Sequence, residues 1–118
     1  NAPAINPTRL EQIRELDSVG GHQLVHKILQ AFLDSAEGYI KQLEQAILDA
    51  DTDGLRRSAH TLKSSSANIG AESLSSIFKQ LEVFGQSGEI AHAKLLQESM
   101  QQQYQQVIIE IRKMIDQS

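Results

Sequence analysis

The 118 residues are enough for one domain with a core of its own, and a composition of 40% hydrophobic and 22% charged residues excludes a disordered chain. No cysteine is present, which excludes disulfides and thiolate metal sites. The net charge of -4, from 11 basic and 15 acidic residues, argues against a dedicated nucleic-acid binder, and no apolar run approaches the ~20 residues a membrane span requires.

Residues 1–7 carry Pro3 and Pro7, show no periodic pattern, and lack the regions of a signal peptide; they are expected to form a linker or loose arm. The chain begins with Asn rather than Met and is expected to be a piece of a longer protein. Thr8 is the expected cap of a short helix whose narrow apolar stripe is Leu10, Ile13 and Leu16, with Gly20-Gly21 as its stop. From His22 to Ala50, apolar residues recur every three or four positions: Val25, Ile28, Leu29, Phe32, Ala36, Tyr39, Ile40, Leu43, Ile47 and Ala50. This is one broad face on a helix of about eight turns, in which Gly38 permits a kink.

Asp51 or Thr52 caps a third helix that carries Leu55, Ala59, Leu62, Ser66 and Ile69 on one side and ends at Gly70. A fourth helix runs from about residue 71, with Leu74, Ile77, Phe78, Leu81 and Phe84 turned inward. Gly85-Gln86-Ser87-Gly88 reads as a loop. The last helix starts near Glu89 and uses Ala93, Leu96, Met100, Tyr104, Val107, Ile108, Ile111 and Ile115, with Gln101 to Gln106 as a solvated face. No segment alternates as a strand would. The expected fold is therefore all-α: an antiparallel up-down four-helix bundle over residues 8–118, with a short additional N-terminal helix covering one end.

One residue does not belong to any core stripe. With ~100° per residue, the apolar positions of the third helix point one way and His60 points roughly 140° away from them. Arg56, Lys63, Ser64 and Ala67 share its exposed stripe, so cations stand one turn away and small residues leave the backbone open to a partner. An exposed His with a nearby Lys is also a common solvated pattern. Across the turn at Gly70-Ala71, residue 82 stands level with residue 60, and Lys79 and Glu82 flank the apolar stripe of the fourth helix. A carboxylate there would accept a hydrogen bond from Nδ1–H of His60 and leave the Nε2 lone pair outward, as a nucleophile requires. The alternative for Glu82 is a solvated surface carboxylate.

The run Ala59-His60-Thr61-Leu62-Lys63-Ser64-Ser65-Ser66-Ala67-Asn68-Ile69-Gly70, with Leu81-Glu82 downstream, resembles the signature of histidine-containing phosphotransfer (HPt) domains. The resemblance extends from the long second helix to the last one. It implies that His60 accepts a phosphoryl group from the aspartyl phosphate of a receiver domain and passes it to another receiver. By the same resemblance Lys63 contacts the phosphoryl oxygens, Glu82 orients the imidazole, and Gly70 is the family's glycine at the helix end. Arg56, Ser64, Ala67 and Lys79 are candidates for receiver docking or for the electrostatic field around the phosphate. Ser64 departs from the usual Gly of the pattern and bears on which receiver is preferred.

The resemblance further implies a relay with no turnover of its own and no cofactor of its own, with Mg²⁺ carried by the partner receiver. The partners expected are response-regulator receiver domains, without nucleic acid and without direct membrane contact, and the isolated domain is expected to be a monomer. A cytoplasmic location is expected, either as the C-terminal part of a hybrid sensor kinase or as a free-standing relay.

Three rivals remain at this stage. A kinase dimerisation domain would place an acidic residue after the His and a Pro further on, whereas Thr61 follows His60 and no Pro follows Pro7. A zinc site on His22 and His26 has suitable spacing but no third ligand in view. A structural bundle whose motif has decayed draws its support from Ser64 alone.

Overall fold

The structure, a computed structural model, describes residues 3–16 and 23–116. Every regular element among them is a helix: α1 (Pro7–Leu16), α2 (Gln23–Leu48), α3 (Thr52–Asn68), α4 (Glu72–Ser87) and α5 (Ile90–Asp116). Each long helix has one apolar stripe, and the stripes are buried by packing α2 to α5 as the expected antiparallel four-helix bundle. Leu29, Leu43, Leu55, Leu62, Phe78, Leu81, Met100 and Ile111 are fully enclosed. Phe32 and Tyr104 join α2 to α5 with ring centroids 6.4 Å apart. Within the Gln run, Tyr104 is buried and Gln101 is half-buried, donating to Glu44 Oε2 at 2.9 Å, so that segment is only partly a solvated face. The stop expected at Gly20-Gly21 lies outside the described residues.

The start of α1 differs from expectation. Asn6, not Thr8, is the cap: its Oδ1 accepts the backbone N–H of Thr8 at 3.0 Å. Pro7 then sits at the first helical position, where its missing N–H costs nothing. The described part of the leader also differs from a loose arm. Ile5 is 1% exposed, the backbone N–H groups of Ala4 and Ile5 donate to the carboxylate of Glu110, and Asn6 N donates to Gly70 O at 2.8 Å. An apolar Ile between the two prolines supplies the burial, and Glu110 satisfies backbone donors that burial would otherwise strand. Arg9 Nε donates to Asn68 O at 3.0 Å, so α1 covers the bundle end that holds the α3–α4 turn.

The turns position the rest. Asp51 caps α3 as expected, accepting from Gly54 N at 2.9 Å. Gly70 is left-handed at φ +80, and a Cβ there would lie 2.8 Å from Arg9 Cβ, so both backbone conformation and space demand glycine. The loop expected at residues 85–88 is a correction. α4 continues to Ser87 and only Gly88 leaves the helix. Gly85 is instead a contact point: a Cβ on it would meet Arg56 N at 2.7 Å, so this glycine lets α3 and α4 approach closely.

Candidate functional site

The site arises from the register of α3 against α4. Gly85 touches the Arg56 backbone, and one turn along, His60 meets Glu82. Nδ1 of His60 lies 2.7 Å from Oε2 of Glu82. A carboxylate can only accept, so Nδ1 carries the hydrogen and donates. The other carboxylate oxygen, Oε1, accepts from Lys63 Nζ at 2.7 Å. One side chain on α4 therefore holds two side chains of α3, three residues apart.

Burial within this trio is uneven in a useful way. The Glu82 side chain is 10% exposed, that of Lys63 30%, and that of His60 58%. The anchor is enclosed while the imidazole stands in solvent. Nε2 of His60 makes no hydrogen bond among the described residues. Its lone pair is thus free on the open side of the ring. The Lys63 hydrogen bond, above all, holds the Glu82 carboxyl below its ordinary range; burial works against this, and the hydrogen bond from His60 adds to it. Glu82 is ionised at neutral pH and a fit partner for the imidazole.

The other expected residues divide into two groups. Lys63, Ala67 and Lys79 line one groove between α3 and α4, about 320 Å³ in volume, together with Glu72, Ser75 and Ser76. Lys79 is exposed and makes no ion pair among the described residues. Ser64 and Ala67 are exposed, as an open face requires. Arg56 stands apart from the trio: its guanidinium donates to Asp53 Oδ1 at 2.8 Å, which holds the Asp53 carboxyl below its ordinary range, with Arg57 contributing. Arg56 serves the close α3–α4 contact through its backbone, and its charge is shared with Asp53.

Two contributors escaped the sequence reading. Ser75 Oγ donates to Lys63 O at 2.9 Å, tying α4 to the backbone of α3 beside the site. The height rule that paired 60 with 82 also sets 75 level with 67, one turn from Lys63, so the signal was present. The second is the Lys63–Glu82 ion pair itself. On the opposite flank of α3, a groove of about 450 Å³ is lined by Tyr39, Ala46, Gly54, Arg57, Ser58 and Thr61 among others. Nδ1 of His92 lies 3.1 Å from Oε1 of Glu89, and its ring stacks on Phe84, away from this trio in sequence. His22 lies outside the described residues, and among the described residues no group of three or more potential metal ligands comes together. No helix among them is long and apolar enough to cross a membrane.

Comparisons with known proteins agree with this helical fold. A family model described as Hpt domain matches residues 27–118. The crystal structure of histidine-containing phosphotransfer protein B from Pseudomonas aeruginosa is similar along 100% of this chain and 99% of its own, at 26% identity and a TM-score of 0.89. A search of curated proteins returned no match.

Proposed function

This chain belongs to the Hpt domain family, and from that premise we propose that His60 is the residue that carries the phosphoryl group. Histidine phosphotransfer in phosphorelay signalling is the role of the chain. The observation that carries the assignment to His60 is its pairing with an enclosed carboxylate through Nδ1, which leaves Nε2 free on an exposed ring. A neutral imidazole in that tautomer presents its lone pair to an incoming aspartyl phosphate.

Phosphoryl transfer depends mainly on alignment and on neutralising charge. In this reading Glu82 aligns the ring and Lys63 supplies the nearest cation to the phosphoryl oxygens. Lys79, exposed across the groove from Lys63, extends the positive field, with Ser64 and Ala67 leaving room for the partner. The receiver brings the aspartate and its Mg²⁺, so the domain needs no cofactor and turns nothing over by itself. It acts as a monomer in the cytoplasm, taking the group from one receiver and giving it to another.

The test is transfer from a receiver domain charged with acetyl phosphate. The label on this protein is expected to be acid-labile and alkali-stable, as a phosphoramidate is. Label that survives acid would place it on an oxygen and contradict the reading.

A further inference from the structure

The carboxylate of Glu82 has two claimants, and the chemistry of phosphohistidine gives that sharing a consequence. We infer that Glu82 keeps a proton on Nδ1 of His60 while Nε2 carries the phosphoryl group, and that Lys63 meters this hold by competing for the same carboxylate. The inference rests on the reading of His60 as the carrier.

Departure of the phosphoryl group shows why the proton matters. An aspartate oxygen of the receiver forms a bond to phosphorus while the P–Nε2 bond breaks and its electron pair returns to Nε2. With hydrogen on Nδ1, the ring leaves as neutral imidazole. Without it, the ring must leave as imidazolate, a far poorer leaving group. The proton stays on Nδ1 throughout and nothing else is consumed. A carboxylate opposite Nδ1 favours the protonated ring far more than a neutral acceptor of the same shape would.

The surroundings single out this pair of contacts. Oε2 of Glu82 is 2.7 Å from Nδ1 and Oε1 is 2.7 Å from Lys63 Nζ, on a side chain only 10% exposed. The charged groups acting on that carboxylate are Lys63 and His60. On α3, Arg56 is engaged by Asp53; on α4, Lys79 is exposed in the adjoining groove. Among the described residues, no charged group of α2 or α5 acts on it. A phosphoryl group on Nε2 offers Lys63 a second anion. Whatever share of Lys63 it takes leaves Glu82 more firmly on Nδ1–H. Loading the ring thus prepares its own departure, with Glu82 acting as a positioning residue through the imidazole.

The experiment compares the unaltered protein with Glu82→Gln, Lys63→Met and the double variant, each checked for helical circular dichroism. Phosphoramidate serves as the phosphoryl donor, and the ³¹P shift follows Nδ1 protonation of the labelled ring between roughly pH 6 and 9. Glu82→Gln is expected to lower the titration midpoint by about one pH unit and, above that midpoint, to slow label loss about tenfold. Lys63→Met is expected to raise the midpoint, with most of that effect absent when Glu82 is already replaced. An unchanged midpoint in Glu82→Gln, or a Lys63→Met effect of equal size in both backgrounds, would overturn the inference. Absence of label at position 60 would instead refute the carrier reading; the ¹⁵N shifts of the unlabelled ring in the same four proteins would then still decide whether Lys63 and Nδ1 compete for Glu82.

Discussion

Gly85 lies so close to Arg56 that a single methyl group on it would fall 2.7 Å from the Arg56 backbone nitrogen. This contact sets the separation of α3 and α4 one turn from where Nδ1 of His60 meets Glu82. A backbone neighbour cannot rotate out of the way as a side chain can. Gly85→Ala is therefore expected to destabilise the fold by about 1–3 kcal/mol in urea titration and to slow phosphoryl transfer to His60. Unchanged stability would show that the two helices have slack at this point.

Ala50 offers the opposite opportunity. Expected on the apolar face of α2, it lies instead beyond the helix end at Leu48, exposed and left-handed at φ 55, while Asp51 N donates to Ala46 O at 2.8 Å. A residue with a Cβ pays for that conformation, whereas glycine adopts it freely. Ala50→Gly is expected to raise stability by roughly 0.5–1 kcal/mol, since relief of the left-handed strain exceeds the entropy glycine adds to the unfolded chain. Thermal unfolding followed by circular dichroism measures it, and a lower midpoint would contradict the account of this turn.

Asn6 both caps α1 through Thr8 N and reaches Glu72 Oε1 with its Nδ2 at 3.0 Å. Replacing it with Ala removes both contacts while leaving the backbone bond to Gly70 O. The expected cost is about 1 kcal/mol, in the usual range for a lost helix cap. Faster amide hydrogen exchange should be confined to α1 and the α3–α4 turn.

The acid limb of stability should report on Glu82. Its folded-state carboxyl titrates below the ordinary value of 4.5, chiefly because Lys63 donates to it, so its ionisation stabilises the folded protein at pH above that value. This stabilisation is lost as pH falls through the lower folded value. Glu82→Gln is therefore expected to be the less stable protein at neutral pH, with the gap closing in acid. Urea midpoints measured from neutral pH down to about pH 3 follow the difference, and a gap that stays constant would contradict the ionised pairing.

The sequence disclosed whatever periodicity and symmetry could carry. The five helices follow from apolar spacing, the exposure of His60 from its angle on α3, and the level of Glu82 from counting outward from Gly70-Ala71. What it concealed was contact-dependent. A glycine inside a helix and a glycine in a loop look alike, so Gly85 near Gly88 predicts a loop, and only the Arg56 backbone packed against it marks a helix contact. Ile5 between two prolines is too short a pattern to reveal that it is buried. The ion pair of Lys63 with Glu82 is not legible in spacing, because the two stand on different helices and only side-chain reach shows that Lys63 and His60 share Glu82 as acceptor. Arg56 stood on the right stripe, but Asp53 three residues earlier takes up its charge.

On the proposed assignment, position 60 alone carries the label. Labelling of the His60→Gln variant by a receiver charged with acetyl phosphate tests it most directly, alongside its circular dichroism. The account predicts a fully helical, stable protein that takes up no acid-labile phosphoryl group. A variant that folds and is still labelled would contradict it.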